Sequence, residues 1–156
     1  MDIITELADQ SEVVRTNCAE MRMLRNKILY VRITPGHEQS LDDAFENLAA
    51  ARRFCHTVKI PVIMDIRGVP RPSNGVLQTY GRPDLADFPL CMAFIADMNY
   101  LSQSLINLYF KLSGPIYPMK MCFTTDEAIH WLDVQRKISP FADHEVRRKH
   151  SLNGLS

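Results

Sequence analysis

The sequence predicts an α/β fold in which a mixed sheet of about five strands carries about four helices, packed mainly on one side. Three observations predict it: an alternating hairpin pattern near the start, apolar runs of strand length farther along, and amphipathic helical patterns between those runs. Strands that alternate with helices need crossover connections, so the later strands should be mostly parallel. The length of 156 residues fits one domain.

The chain is expected to begin with a short extension and a β-hairpin. Residues 1–16 are predicted to contain a short helix outside the domain. Apolar and polar residues then alternate over 19–24 and over 29–33, which is typical of strands with one buried face. We expect Arg25 and Asn26 to form a two-residue turn between them, because asparagine tolerates the left-handed conformation that such turns require.

A helix is predicted from Ser40 to about Thr57. The Ser40 hydroxyl can accept a hydrogen bond from the free backbone N–H of Asp43, as an N-cap residue does. The apolar residues that follow have helical spacing and form one stripe. They are Leu41, Ala44, Phe45, Leu48, Ala51 and Cys55.

Three apolar runs are predicted to be strands, at 60–66, 90–97 and 117–123. The first run lacks alternation, which indicates a strand covered on both faces in a parallel or mixed sheet. Pro61 is acceptable there because it stands where the strand begins to pair.

Helical patterns fill the segments between and after these strands. One helix begins near Ser73 and another covers 99–112. A last helix follows Thr124, which forms a capping-box pattern with Glu127.

Composition and charge narrow the function classes. The 18 basic and 18 acidic residues cancel, so no overall field attracts nucleic acid. No apolar stretch is long enough for a membrane span, and the start has no secretory-leader pattern. The basic segment 138–156 is expected to be a weakly ordered tail, which leaves 17–137 as the domain.

The four cysteines lie more than thirty residues apart and have no metal-type spacing. Cys91 and Cys122 fall in strand-like apolar runs, and Cys55 lies on the apolar side of a predicted helix. We therefore expect buried, reduced thiols, a cytoplasmic protein, and neither a metal nor a cofactor. The cysteines are Cys18, Cys55, Cys91 and Cys122.

The order of these elements resembles a STAS-type domain, the family that includes the bacterial anti-sigma-factor antagonists. The resemblance covers about residues 17–135 and rests on the hairpin, the Ser40 helix, the strand PVIMDIRGV, the helix opened by Ser73, and the strand MAFIAD. The closing YPMKMCFTTDEAIHWL is similar to a branch of small stand-alone bacterial proteins with this fold.

This resemblance implies a STAS-like fold and a non-enzymatic regulatory or protein-interaction module that binds a protein partner. It also implies that Ser73, which lies near the serine that is phosphorylated in regulatory members, is a candidate phosphoacceptor. Pro72 stands here in place of the aspartate that commonly precedes that serine.

The alternative is a small-molecule or anion-binding protein, or a minor enzyme, that uses the carboxyl ends of the strands. Asp65 and Asp97 end two predicted strands, where open α/β sheets bind ligands, although both carboxylates could equally cap turns and helices. Arginines near a helix start could bind an anion, or could lie scattered on an exposed loop. The candidate anion-binding residues are Arg67, Arg71, Ser73, Asn74, Gly75 and Arg82. No catalytic constellation is evident.

The segment 98–112 is predicted to carry more apolar surface than one buried helix face needs. Aromatic residues of this kind are enriched in interface cores, and two-fold dimers are the commonest oligomers. We therefore expect a homodimer. The candidate interface residues are Tyr100, Ile106, Tyr109 and Phe110.

Overall fold

The computed structural model of the chain shows an α/β domain built on a six-stranded sheet. The structure describes residues 3–4, 8–55, 58–70, 72–80, 82, 88–97 and 117–138. The strands are β1 (Ala8–Arg15), β2 (Ala19–Leu24), β3 (Leu29–Ile33), β4 (Ile60–Asp65), β5 (Pro89–Ile95) and β6 (Met119–Cys122). The helices are α1 (Leu41–Arg52), α2 (Asn74–Tyr80) and α3 (Thr125–Ile138).

The strands lie side by side in chain order, and the sheet is mixed. β1, β2 and β3 are antiparallel, whereas β3 to β6 are parallel. The α/β class is thus confirmed, with one strand more than expected, and with three described helices that lie on both faces of the sheet, where about four mainly on one side were expected. Among the described helices, α1 and α2 share the face that carries Val62, and α3 packs on the opposite face, which carries Ile63.

The additional strand is β1, so the helix expected near the start is wrong for residues 8–15. β1 pairs antiparallel with β2, and Val14 stands opposite Met21. Short isolated helices are marginal, whereas the β-branched Val13 and Val14 suit a strand whose backbone is satisfied by its neighbour.

The turn between β2 and β3 also differs from the expectation. The N–H of Lys27 donates to the carbonyl of Leu24 at 3.0 Å, and the N–H of Leu24 donates to the carbonyl of Ile28 at 2.9 Å. Lys27, and not Asn26, takes the left-handed conformation, with φ of 64°. Three-residue loops that end in a left-handed residue are among the commonest hairpin connections after two-residue turns.

Helix α1 begins as the sequence predicts. The N–H of Asp43 donates to Ser40 Oγ at 3.1 Å, and the N–H of Ser40 donates back to Asp43 Oδ2 at 3.0 Å. The helix ends at Arg52, earlier than expected, because the next backbone N–H groups bond three residues back. Leu41 and Phe45 of the predicted stripe are 50% and 44% exposed, so the buried stripe is narrower than predicted.

Strand β4 confirms the interpretation of the unalternating run. It pairs in parallel with both β3 and β5, and its consecutive residues Val62 and Ile63 are buried on opposite faces of the sheet. The register shifts between Ile60 and Pro61, which accommodates a proline that has no N–H to donate.

Helix α3 is capped by Thr124, whose Oγ1 accepts the N–H of Glu127 at 3.1 Å. The Glu127 carboxylate accepts the N–H of Phe123 at 3.1 Å, one residue before the predicted capping-box partner. At the other end of the helix, Arg136 donates to two backbone carbonyls of the β2–β3 turn. These contacts fix α3 along the sheet.

All four cysteines are buried and free, as expected. Burial raises the pKa of the Cys91 thiol to about 12 and that of the Cys122 thiol to about 11. Both thiols therefore stay protonated and unreactive near neutral pH. Within the described part of the chain, no helix has the length and apolar character that crossing a bilayer requires.

Candidate functional site

The carboxyl ends of the parallel strands meet at one edge of the sheet, and Asp65 lies there at the end of β4. The register places Arg32 of β3 directly beside it. The Asp65 side chain is fully buried and accepts hydrogen bonds from Tyr30 Oη at 2.5 Å and Arg32 Nη1 at 2.9 Å. It also accepts bonds from Arg67 Nε at 3.0 Å and Nη2 at 2.6 Å. We call Tyr30, Arg32, Asp65 and Arg67 the strand-edge cluster.

The electrostatics of the strand-edge cluster keep Asp65 ionised. Burial acts to raise the pKa of Asp65, but the hydrogen bonds from Arg67 and Tyr30 and the charge of Arg32 outweigh it and hold that pKa below its usual range. Burial and the hydrogen bond to Asp65 raise the pKa of Tyr30, which therefore keeps its proton.

The hydrogen-bonding capacity of Asp65 is used up. A carboxylate has about four lone-pair sites. Its two oxygens here accept four side-chain bonds and a fifth, at 3.2 Å, from the backbone N–H of Arg67. Such a group has no lone pair left for a substrate proton or a metal ion, so it anchors the edge of the sheet.

The second strand-end carboxylate, Asp97, has its own partner. Its Oδ2 accepts the N–H of Gly68 at 2.8 Å and so fastens the loop that follows β4. Gly68 has φ of +74°, and a Cβ there would lie 3.3 Å from Pro35. The structure therefore gives Asp65 and Asp97 separate contacts at this edge, which matches the turn-capping alternative.

The predicted anion-binding residues are only partly brought together. Ser73, Asn74 and Gly75 lie at the start of α2, where Ser73 Oγ accepts the N–H of Val76 at 3.3 Å. The guanidinium of Arg67 is paired with Asp65.

Of the remaining predicted site residues, the structure describes only Arg82. Arg82 is exposed, and Arg71 lies outside the described residues. The candidate interface residues Tyr100, Ile106, Tyr109 and Phe110 also lie outside them.

Sequence reasoning missed two members of the strand-edge cluster. Tyr30 and Arg32 alternate with apolar residues in β3, and that pattern predicts a solvent face, yet Tyr30 is buried. No local pattern signals these partners, because the parallel pairing of β3 with β4 is what sets Arg32 beside Asp65. Period-two alternation reports a single buried face, whereas this sheet is covered on both.

A cavity of about 60 Å³ lies on the opposite face of the sheet, under α1 and α2. One row of its lining crosses four neighbouring strands in register, and the other walls are largely apolar. That row consists of Val31, Met64, Phe94 and Met121. No pattern in the sequence predicted this cavity.

One end of the cavity is polar. Tyr80 Oη donates to Gln39 Oε1 at 2.6 Å and accepts from Asn47 Nδ2 at 2.9 Å. Thr16 Oγ1 donates to Asn47 Oδ1 at 2.5 Å, so this buried amide is bonded at both its oxygen and its nitrogen. A small, mostly apolar molecule with one polar end fits such walls.

Comparison with known proteins gives one result. The model of a family described as Domain of unknown function (DUF7793) matches residues 22–136. No curated protein and no solved structure matches the chain.

Proposed function

The chain belongs to the DUF7793 family, a domain of unknown function, and we propose that it is a non-enzymatic regulatory or protein-interaction module. The saturated carboxylate of Asp65 carries this proposal. Asp65 lies at the edge where open α/β sheets bind ligands, and its lone pairs all accept hydrogen bonds from the protein itself. The resemblance to STAS-type domains supports the same class of function.

The surface that contacts the partner is the loop after β4 together with the start of α2. Residues 66–70 of this loop are held firmly: Asp97 binds the N–H of Gly68, the N–H of Gly36 donates to the Gly68 carbonyl at 2.8 Å, and Val69 is buried. A surface fixed before binding loses less conformational entropy when a partner docks.

Ser73 is the regulatory residue of this surface. It is exposed, and its hydroxyl accepts only the 3.3 Å bond from Val76 among the contacts described. A phosphate there would add about −1.5 to −2 charges to the docking surface. Phosphorylation therefore changes the affinity for the partner and leaves the packing of the core unaltered.

A charge-substitution series tests this function. We expect Ser73→Asp to change recovery of the partner from an extract of the native cells by about tenfold, equivalent to ~1.4 kcal/mol of binding free energy. Ser73→Ala should bind like the unphosphorylated protein. The matched control is His130→Asp, which adds the same charge at an exposed position of α3, on the opposite face of the sheet. Equal recovery with all three variants would overturn the assignment of this surface.

A second candidate function is binding of a small apolar molecule, and the cavity favours it. The sequence placed a small-molecule site at the carboxyl ends of the strands, where the hydrogen-bonding capacity of Asp65 is used up. The cavity lies instead on the face of the sheet that α1 and α2 cover. Methionine methyl NMR tests it with apolar compounds of a few heavy atoms. Resonances of Met21, Met64, Met92 and Met121, which line the cavity, should shift, whereas Met23 serves as an internal control. Shifts spread equally over all methionines would count against the cavity.

We also propose that the protein is cytoplasmic and forms a homodimer through the segment 98–112. The four buried free thiols are typical of a reducing compartment, and the apolar surplus of that segment supports self-association. Light scattering at micromolar concentration tests the dimer. A mass of twice the 17.9 kDa chain supports it, and the mass of a single chain contradicts it.

A further inference from the structure

Three side chains of metal-ligand type meet beside the N-terminus of α1. They are Cys18, His37 and Asp43, and their ligand atoms all lie within 4.8 Å of one another. Each comes from a different segment: the β1–β2 turn, the loop after β3, and the first turn of α1. Cys18 and Asp43 are buried, whereas His37 is partly exposed, so the cluster is open to solvent on the histidine side.

The spacing within this cluster suits a tetrahedral ion. His37 Nε2 lies 3.0 Å from Asp43 Oδ2. In a tetrahedral zinc site, bonds of about 2.0–2.3 Å place neighbouring ligand atoms about 3.3–3.6 Å apart. Movements of about 1 Å or less would therefore bring all three ligand atoms to an ion between them.

The side chains around the cluster hold two of the ligands in position. Asn17 Nδ2 donates to Asp43 Oδ1 at 2.7 Å and the N–H of Ser40 donates to Oδ2 at 3.0 Å, so the carboxylate is held with Oδ2 beside His37. Asn47 Nδ2 donates to Cys18 Sγ at 3.2 Å, which fixes the position of the sulfur. Outer partners of this kind orient the ligands in metal sites.

We propose that Cys18, His37 and Asp43 bind a zinc ion, with water as the fourth ligand. Thiolate and imidazole are soft or borderline donors, which favours zinc over magnesium or calcium. The ion would join the β1–β2 turn and the loop after β3 to α1. This site departs from the sequence expectation of no metal, which considered cysteine spacing and not a mixed set of ligands brought together by the fold.

Titration of the chelator-treated full chain with Zn²⁺ and with Co²⁺ tests the proposal. We expect one ion per chain, and a Co²⁺ spectrum that has tetrahedral d–d bands and a thiolate charge-transfer band. Cys18→Ser should remove the charge-transfer band, whereas Cys55→Ser, at a buried cysteine outside the cluster, should keep it. A charge-transfer band that persists in Cys18→Ser, or no binding of either ion, overturns the site.

A second pair of variants keeps the test decisive where Cys18→Ser does not fold. His37→Ala changes a partly exposed side chain, and we expect it to weaken Zn²⁺ binding by more than the roughly hundredfold that loss of an outer partner can cost. The outer-partner variant Asn17→Ala should weaken binding by about 10- to 100-fold. His130→Ala on α3 is the control. Unchanged affinity in His37→Ala means that the cluster is a helix cap and not a metal site.

Discussion

Replacing Asp65 by asparagine should destabilise the protein more than most single substitutions, although the two side chains have nearly the same shape. Asparagine puts an NH₂ group at one of the two oxygen positions, where it faces donors such as Arg67 Nη2. It also removes the negative charge that balances Arg32 and Arg67. Breaking a buried ion pair in this way costs about 3–5 kcal/mol of the free energy of unfolding.

Urea and thermal unfolding at neutral pH measure this loss. For a chain of this length, ~3–5 kcal/mol corresponds to a fall in Tm of about 6–20 °C. Tyr30→Phe removes a single bond to the charged carboxylate and should cost about 1.5–3 kcal/mol. The matched control Asp97→Asn alters an exposed carboxylate with one backbone contact and should cost about 1 kcal/mol or less.

The pH dependence gives an independent check. The pKa of Asp65 is lowered in the folded state, so its contribution to stability is complete above the unfolded pKa of about 3.9. That contribution is lost as the pH falls through the lower folded pKa. The stabilities of the wild type and Asp65→Asn should therefore converge in acid. A loss below about 1 kcal/mol at neutral pH, or a difference that does not shrink in acid, would refute the view of Asp65 as an anchor.

Three further outcomes follow from the fold. Ser40→Ala removes the cap of α1 and should cost about 1 kcal/mol in urea unfolding; no loss would mean that the cap is redundant. Gly36→Ala and Gly68→Ala both force a side chain into a left-handed conformation, at about 1–2 kcal/mol, and Gly68→Ala should cost more because only its Cβ meets Pro35; equal thermal shifts would contradict this. Cys91 and Cys122 should react with iodoacetamide only after unfolding, and because their folded pKa values are raised, their contribution to stability should decline from about pH 9 toward pH 11–12; rapid labelling of the folded protein would exclude their burial.

The sequence predicts the parts of this fold that depend on local patterns. The cap of α1 follows from Ser40 and Asp43 alone, and the buried strand β4 follows from an apolar run without alternation. β1 escaped prediction because its strand conformation depends on pairing with β2, which no local pattern of residues 8–15 reports.

The candidate site is harder to predict from the sequence, for a similar reason. The position of Asp65 at a strand end was predictable, but its partners Tyr30 and Arg32 lie more than thirty residues earlier and meet it only through the register of β3 and β4. The cavity depends on side chains from several strands at once, and the ligand cluster of Cys18 depends on three segments. Such sites are properties of the assembled sheet.

The most direct test of the proposed function is site-specific photo-crosslinking in the cells that naturally produce the protein. A benzophenone side chain is introduced at Asn74, which is exposed beside Ser73, and for comparison at Val134, which is 41% exposed on α3. If residues 73 and 74 lie in the docking surface, we expect a crosslink to a distinct partner protein from position 74 and none to that protein from position 134. Absence of a crosslink at position 74, or the same crosslink from both positions, would contradict it.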